Sequence, residues 1–249
     1  MLHIKGFAVQ EFVPGRAYCD VEVWVDPSRE VDYLACLEQA GFELGYSRVQ
    51  RGFESHATDV LAQAFGVKID VHVEFPGIDV PAQEAFESLW RDRRSQTVAG
   101  HQLACPGRVD NALIIALHAA RTPAGSGHVR EATTTWHALT QSEQADLAAR
   151  AHALRAESVL GLSVPTFAAA LDPRDVEYFE TIRSGKSRTQ VWVARIRHER
   201  SWRRKMELAV GILEPPVHHG ESHPRNRLAR FVWTVRQVAR DLGIPRRRR

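Results

Sequence analysis

The sequence predicts an α+β protein: a mixed sheet with helices, followed by a mainly helical C-terminal half. Three observations carry that expectation. Residues 17–26 (AYCDVEVWVD) and 67–75 (VKIDVHVEF) alternate apolar and polar side chains with a period of two, as half-buried strands do. From about residue 108 apolar positions recur at helical spacing instead, beginning with RVDNALIIALHAAR at 108–121. The chain, at 249 residues, is long enough for one large domain or two modest ones. The change of period places the expected boundary between an α/β core at 1–107 and a helical region with a basic tail at 108–249.

Composition narrows the class. With 44% hydrophobic and 25% charged residues the chain reads as a soluble globular protein rather than a disordered one. It has no apolar run of bilayer length and no basic-then-apolar leader, so no membrane partner is expected. Cys19, Cys36 and Cys105 are odd in number and far apart, without a CxxC pair. That suits a reducing compartment, and the cytoplasm is the expected location. The formal charge of +3 hides an asymmetry: residues 183–249 hold 18 Lys+Arg against 5 Asp+Glu, and the remainder 15 against 25. The basic end could pair with the acidic part or contact phosphates.

Taken in order, Leu2–Ile4 reads as a short strand, Lys5-Gly6 as a turn and Phe7–Phe12 as a helix. Glycine at that turn lets a backbone approach a phosphate at a helix N-terminus, although a plain turn glycine looks the same. A core strand starting at residue 2 is unusual, because termini fray; a segment upstream is therefore expected. Pro14-Gly15 is a turn, and Arg16 leads into the first alternating strand. Asp26-Pro27 supplies a helix N-cap and first residue, Val31, Leu34 and Ala35 keep helical spacing, and Gly41 closes the helix. Phe42–Val49 and Arg51–His56 read as short strands.

In the second alternating strand Val67, Ile69, Val71, Val73 and Phe75 share one face, and Lys68, Asp70, His72 and Glu74 the other. A loop at Pro76–Pro81, a helix at Ala82–Arg91 and a short strand at Gly100–Leu103 complete this half. Beyond the boundary helix, 123–128 and 140–144 read as loops, Ala145–Val159 as a helix and Pro165–Leu171 as a short one. Gly185-Lys186-Ser187 is not a P-loop: the first glycine of that motif would fall on Glu180, and no strand precedes it. Trp192–Met206 mixes tryptophan with arginine and lysine, which suits a solvated helix face or a phosphate contact. His218, His219 and His223 are metal candidates on a proline-flanked segment, Leu228–Leu242 is a striped helix, and Arg246–Arg249 a basic tail.

The chemistry concentrates on the two alternating strands. Asp20 and Glu22 share a strand face roughly 6–7 Å apart, a spacing at which two acids can share a divalent cation; a solvated polar face is the alternative. If the two strands lie side by side, Asp70 reaches the same pair, and three converging acids repel unless a cation or raised pKa values relieve them. Nucleotidyl transfer needs such parts. Two carboxylates hold Mg²⁺ against the phosphates, a third completes a second metal site and helps deprotonate the attacking hydroxyl, and a glycine turn steadies the triphosphate.

HIKGFAVQEF, GRAYCDVEVWVDP, LEQAGFE, KIDVHVEF and DNALIIALHAAR together resemble the uncharacterised nucleotidyltransferase-like family of the polymerase-β superfamily. Its members read LKG, R-x-x-x-D-I-D-L-L-V, L-x-x-x-G-F, I-D-L-H-W and a helix ending L-x-x-H. The resemblance runs over roughly residues 2–245, with its specific motifs between Ile4 and His118. It implies a polymerase-β-type mixed sheet, an NTP substrate and Mg²⁺ (or Mn²⁺). By position it implies Lys5 and Gly6 as the nucleotide-side turn, Asp20 and Asp70 as the first and third metal carboxylates, and His72 and His118 as the family histidines.

Glu22 stands where the family has aspartate, and its extra methylene shifts the ligating oxygen, so altered or lost catalysis is an alternative. Arg16 either neutralises phosphate charge or pairs with an acid. His56 and His72 are expected to support the sheet by hydrogen bonding, and His118 to be a satisfied core residue. The family carries a helical segment ahead of its LKG strand, which implies a start upstream of Met1 or a trimmed fold. Two function classes follow. One is a Mg²⁺-dependent nucleotidyltransferase moving an NMP from an NTP to an acceptor (small molecule, peptide, protein or RNA). The other is a degenerate binding protein that holds a peptide, protein or nucleic acid through its basic C-terminal region; a nucleic-acid contact there would weaken steeply with salt.

Overall fold

The computed structural model describes residues 1–18, 20–45, 57–62, 66–123, 125–186, 188–199, 201–202 and 205–206. Cys19, His56, Ser187, the expected strand at 51–56, and everything expected beyond Met206 lie outside the described residues.

A mixed five-stranded sheet organises the first half, in the order β1 (Leu2–Ile4), β2 (Asp20–Trp24), β5 (Val67–His72), β4 (Ala57–Ala62), β3 (Glu43–Leu44). The α+β expectation holds. β2 runs antiparallel to β1, with Ile4 opposite Glu22, and parallel to β5, with Glu22 opposite Asp70. β4 then sets Asp59 opposite Asp70. The two alternating strands are therefore neighbours, in the register that puts their acids on one face.

The alternation dictates what each face meets. Val23, Val25, Val60, Val71 and Val73 form one buried cluster, with Tyr33, Leu34 and Leu37 of α1 (Glu30–Gln39) packed on it. The opposite face is not a solvated surface at its apolar end. Trp24 is fully buried and stacks on Phe75, with ring centroids 5.8 Å apart. β5 ends at His72, so Phe75 leaves the valine face and joins Trp24, contrary to the unbroken alternation expected. The larger core on this side takes Leu2 and Trp24 from the sheet together with Leu113, Leu147 and Phe179 from the helical half.

Local signals explain most element ends. Asp26 accepts from the Ser28 amide and starts a 3-10 turn, Pro27–Arg29, that leads into α1. α2 (Ala82–Arg91) precedes a hairpin of β6 (Arg94–Val98) and β7 (His101–Cys105), of which the sequence reading expected only the second strand. The helical half comprises α3 (Arg108–Ala120), α4 (Gly127–Ala138), α5 (Gln141–Ala153), α6 (Glu157–Leu160), α7 (Pro173–Arg183) and α8 (Arg188–His198).

Several expected elements differ. The helix expected over Phe7–Phe12 is a 3-10 helix, Gly6–Glu11, and that expected at Pro165–Leu171 is likewise 3-10, over Pro165–Ala170. Residues 140–144 are not a loop: Thr140 and Glu143 form a reciprocal capping box that opens α5. The single helix expected over Ala145–Val159 breaks after Ala153, where Arg155 takes a φ of +52°. No helix among the described residues is long and apolar enough to cross a membrane.

Candidate active site

The site begins at the end of β1, where the chain turns sharply. Lys5 and Gly6 have φ values of +50° and +49°, a region that side-chain-bearing residues rarely enter. A Cβ on Gly6 would meet only ordinary contacts, the nearest 3.8 Å from the Asp20 carbonyl oxygen, so conformation rather than space calls for glycine. Lys5 has no such excuse. Holding a lysine there costs about 1–3 kcal/mol, a strain that surrounding contacts must over-determine.

They do. Lys5 Nζ lies 2.5 Å from Glu22 Oε1 on β2 and 2.7 Å from His118 Nδ1 on α3. His72 Nε2, from β5, donates to Glu22 Oε2 at 3.1 Å. Glu22 is thus gripped through both oxygens although only 8% exposed. Burial alone would raise its pKa, but the His72 hydrogen bond and the Lys5 charge outweigh it and hold the carboxyl far below the usual range. Burial pulls His118 well below the ordinary histidine value, and the Lys5 and Arg121 cations push the same way. A neutral His118 is what the geometry asks for, since only a free Nδ1 lone pair can accept from an ammonium. His72 thus bonds the sheet acid from the neighbouring strand, and His118 takes Lys5 as its partner.

A cavity of about 360 Å³ opens beside this cluster, within the size range of small-molecule sites. Lys5, Gly6, Arg16, Asp20, Glu22 and His118 all line it, so six of the residues picked from the sequence converge on one space. Arg16 is paired: its Nε lies 2.7 Å from Glu131 Oε1 on α4. Asp20 is partly exposed in the cavity wall, two residues along β2 from Glu22. Asp70 sits beside Glu22 in register but is not among the lining residues; Lys68 Nζ holds it at 2.9 Å and reaches Asp59 Oδ1 at 3.5 Å. His56 lies outside the described residues.

A family model for an uncharacterised nucleotidyltransferase matches residues 2–171, which takes in β1 through the 3-10 turn after α6. The chain belongs to that nucleotidyltransferase family. One solved structure similar to this nucleotidyltransferase is the solution structure of the antibiotic-resistance factor ANT(2″)-Ia. The two are 15% identical, with a TM-score of 0.40, over 62% of this chain and 84% of that one. Comparison with curated proteins gave no match.

Whether the residues present fit a divalent ion is a question of donor chemistry. Asp20 and Glu22 offer hard carboxylate oxygens on one cavity wall, which suits Mg²⁺ or Mn²⁺. Both Glu22 oxygens already carry a partner, Lys5 on Oε1 and His72 on Oε2, so an ion at Glu22 would share or displace one of them. Among the described residues, no group of three or more His, Cys, Asp or Glu side chains is gathered around one ion position.

Sequence reasoning missed three residues here. Asp59 went unseen because ATDVLA carries little periodicity. His128 and Glu131 of α4 line the cavity opposite the sheet, and Glu131 meets Arg16 across 115 residues of chain. The only local signal was their helical i, i+3 spacing, which names a face but not its partner. The basic region is partly neutralised at home: Arg183 pairs with Glu180 and Arg197 with Glu177, both acids of α7, and His198 hydrogen-bonds Asp175 of the same helix.

Proposed function

We propose that this nucleotidyltransferase moves an NMP from an NTP to an acceptor in the cytoplasm, with Mg²⁺ or Mn²⁺ as cofactor. The observation that carries the reading is the convergence of Lys5, Gly6, Arg16, Asp20 and Glu22 on one cavity at a strained left-handed turn. Asp20 and Glu22 would hold the metal, with Asp70 a third carboxylate one strand over. The ion would supply charge neutralisation at the triphosphate. The chain's own residues do the rest. Lys5 offers its ammonium to phosphate oxygens, the glycine turn lets backbone come close, and Arg16 adds charge at the cavity wall. His72 and His118 hold Glu22 and Lys5 in place without carrying charge themselves. The acceptor is a small molecule, peptide, protein or RNA, and the basic C-terminal region is a candidate contact for its phosphates.

The experiment is incubation of purified protein with each α-labelled NTP and Mg²⁺ or Mn²⁺, following transfer to the protein itself or to host extract. Metal-dependent transfer that disappears in Asp20→Ala is expected. Absence of any metal-dependent NTP binding, with biological activity intact in Asp20→Ala, would sink the enzyme reading. That outcome favours the second reading, a degenerate binding protein, for which the full engagement of Glu22 by Lys5 and His72 is the motivating observation.

A further inference from the structure

Nucleotidyl transfer to a hydroxyl needs a group to take the hydroxyl proton. Asp70, expected from the sequence to do so, is ion-paired to Lys68 and does not line the cavity. Two residues on the opposite wall meet the requirement. His128 and Glu131 stand one turn apart on α4, with His128 Nδ1 3.2 Å from Glu131 Oε2. Arg16 Nε holds the other oxygen of the same carboxylate at 2.7 Å. An ionised carboxylate only accepts, so His128 carries a proton on Nδ1, and in its neutral form the lone pair is then on Nε2. Glu131 is ionised: burial would raise its pKa, but the Arg16 and His128 bonds outweigh that and lower it. The imidazole remains accessible at 37% side-chain exposure, against 17% for Glu131, and His118 packs edge-on against it with ring centroids 4.5 Å apart. This is the arrangement of an oriented base: an imidazole in the cavity wall, a carboxylate bonded to its Nδ1, and a cation fixing the carboxylate.

The geometry points to His128 as the general base for a hydroxyl acceptor, with Glu131 as its positioning residue and Arg16 as the anchor of Glu131. The inference rests on the nucleotidyl-transfer reading. In the step, the acceptor oxygen forms a bond to the α-phosphorus as the bond from that phosphorus to the bridging oxygen breaks. Pyrophosphate leaves with the bonding pair, and the hydroxyl proton passes to His128 Nε2.

Two measurements on the full chain test it. In protein labelled with ¹⁵N-histidine, His128 is expected as the Nδ1–H tautomer, and Glu131→Gln is expected to weaken that preference. An Nε2–H tautomer, or one indifferent to Glu131→Gln, overturns the proposal whether or not turnover is seen. Pyrophosphate release is then followed with each NTP, Mn²⁺ and glycerol as a surrogate hydroxyl. His128→Asn is expected to lower kcat by about 10²–10⁴-fold, with the nucleotide KM changed less than about twofold. Glu131→Gln should lower kcat by less. An active wild type whose kcat survives His128→Asn overturns the base but leaves the transfer reading standing. A folded wild type that neither binds any NTP with Mn²⁺ nor releases pyrophosphate from one overturns the transfer reading, and the base with it.

Discussion

Two buried carboxylates in this protein carry opposite net shifts, although burial pushes both the same way. Glu22, on the sheet, is held far below the usual carboxyl range, while Asp110, on α3, is raised above it. Both are nearly sealed, at 8% and 4% exposure. Asp110 accepts both prongs of Arg150, at 2.5 and 3.0 Å, yet burial and the nearby Asp92 charge prevail over that single cation. Glu22 faces two separate donors, Lys5 and His72, and their sum prevails instead. The surroundings differ as well. Arg150 also donates to Ser88 and reaches Asp92, so its network closes on itself as a strut between helices. The Glu22 cluster stands at the edge of a cavity. The same chemistry serves as a structural tie in one place and as a poised charge in the other.

The largest effect that would sharpen this contrast lies beside Glu22 rather than on it. Asp20 lines the same cavity but is only partly buried. Asp20→Ala is expected to lower metal-dependent transfer by about 10³-fold, close to 4 kcal/mol in the barrier, with little change in thermal midpoint. Equal loss of activity and of stability would mean that Asp20 is a structural residue like Asp110.

Stability separates the two buried acids next. Glu22→Gln strips the charge from a carboxylate that Lys5 and His72 were placed to meet, and removal of one partner from a buried pair costs about 3–5 kcal/mol. Asp110→Asn should cost less, about 1–3 kcal/mol, because Arg150 keeps Ser88 and Asp92. Urea denaturation measures both. Nucleotide binding should weaken only for Glu22→Gln, and weakening by Asp110→Asn would erase the distinction.

The pH dependence follows from the same opposition. His72 and His118 are both depressed by burial. Between the depressed value and about 6.5 the unfolded chain binds a proton that the folded protein refuses, so stability falls as pH drops through that window. The slope is at most about 1.4 kcal/mol per pH unit for each such group. Glu22 acts lower down: its contribution is present above the unfolded carboxyl value, near 4.3, and is lost as pH falls toward its lowered folded value. Asp110 has the reverse sign, since its raised folded value makes its contribution full at low pH and lost on the way up. Below about pH 4.3 Glu22→Gln should therefore flatten the acid loss of stability, and from about pH 3.9 up to the raised Asp110 value Asp110→Asn should steepen it. The same slope in both variants would contradict the opposite shifts.

The sequence disclosed the sheet acids because alternation is a local property. Two strands of period two, each with acids on its polar face, led to the Glu22–Asp70 juxtaposition that β2 and β5 display. It could not disclose what would meet those acids. Lys5 reaches His118 across 113 residues and Arg16 reaches Glu131 across 115, and nothing in either segment encodes the other. Sequence periodicity says which face of an element is polar; which polar faces oppose one another is decided by packing of the apolar ones. The second wall of the cavity, on α4, was therefore invisible until Leu113 and its neighbours had docked on the sheet.

A smaller misreading carries its own test. TQSEQ at 140–144 reads as a loop because threonine and serine compete with the backbone for hydrogen bonds. Placed at a helix start, that competition is the stabilising device. Thr140 Oγ1 accepts from the Glu143 amide at 3.2 Å, and Glu143 Oε2 accepts from the Thr140 amide at 2.8 Å. The same Glu143 also receives Arg108 Nε at 2.9 Å, which ties the start of α5 to the start of α3. Thr140→Ala removes one half of the box and should cost about 1 kcal/mol, a fall of roughly 2–4 °C in Tm for a chain of this size. Because α3 carries His118 at its far end, a loosened tie at its start also probes how rigidly Lys5 is held. Unchanged nucleotide affinity in Thr140→Ala is the expected result, since the buried stripe of α3 fixes the helix independently of its N-terminus. A drop in affinity beyond the stability change would mean that the capping box, far from the cavity, helps to set the position of the site lysine.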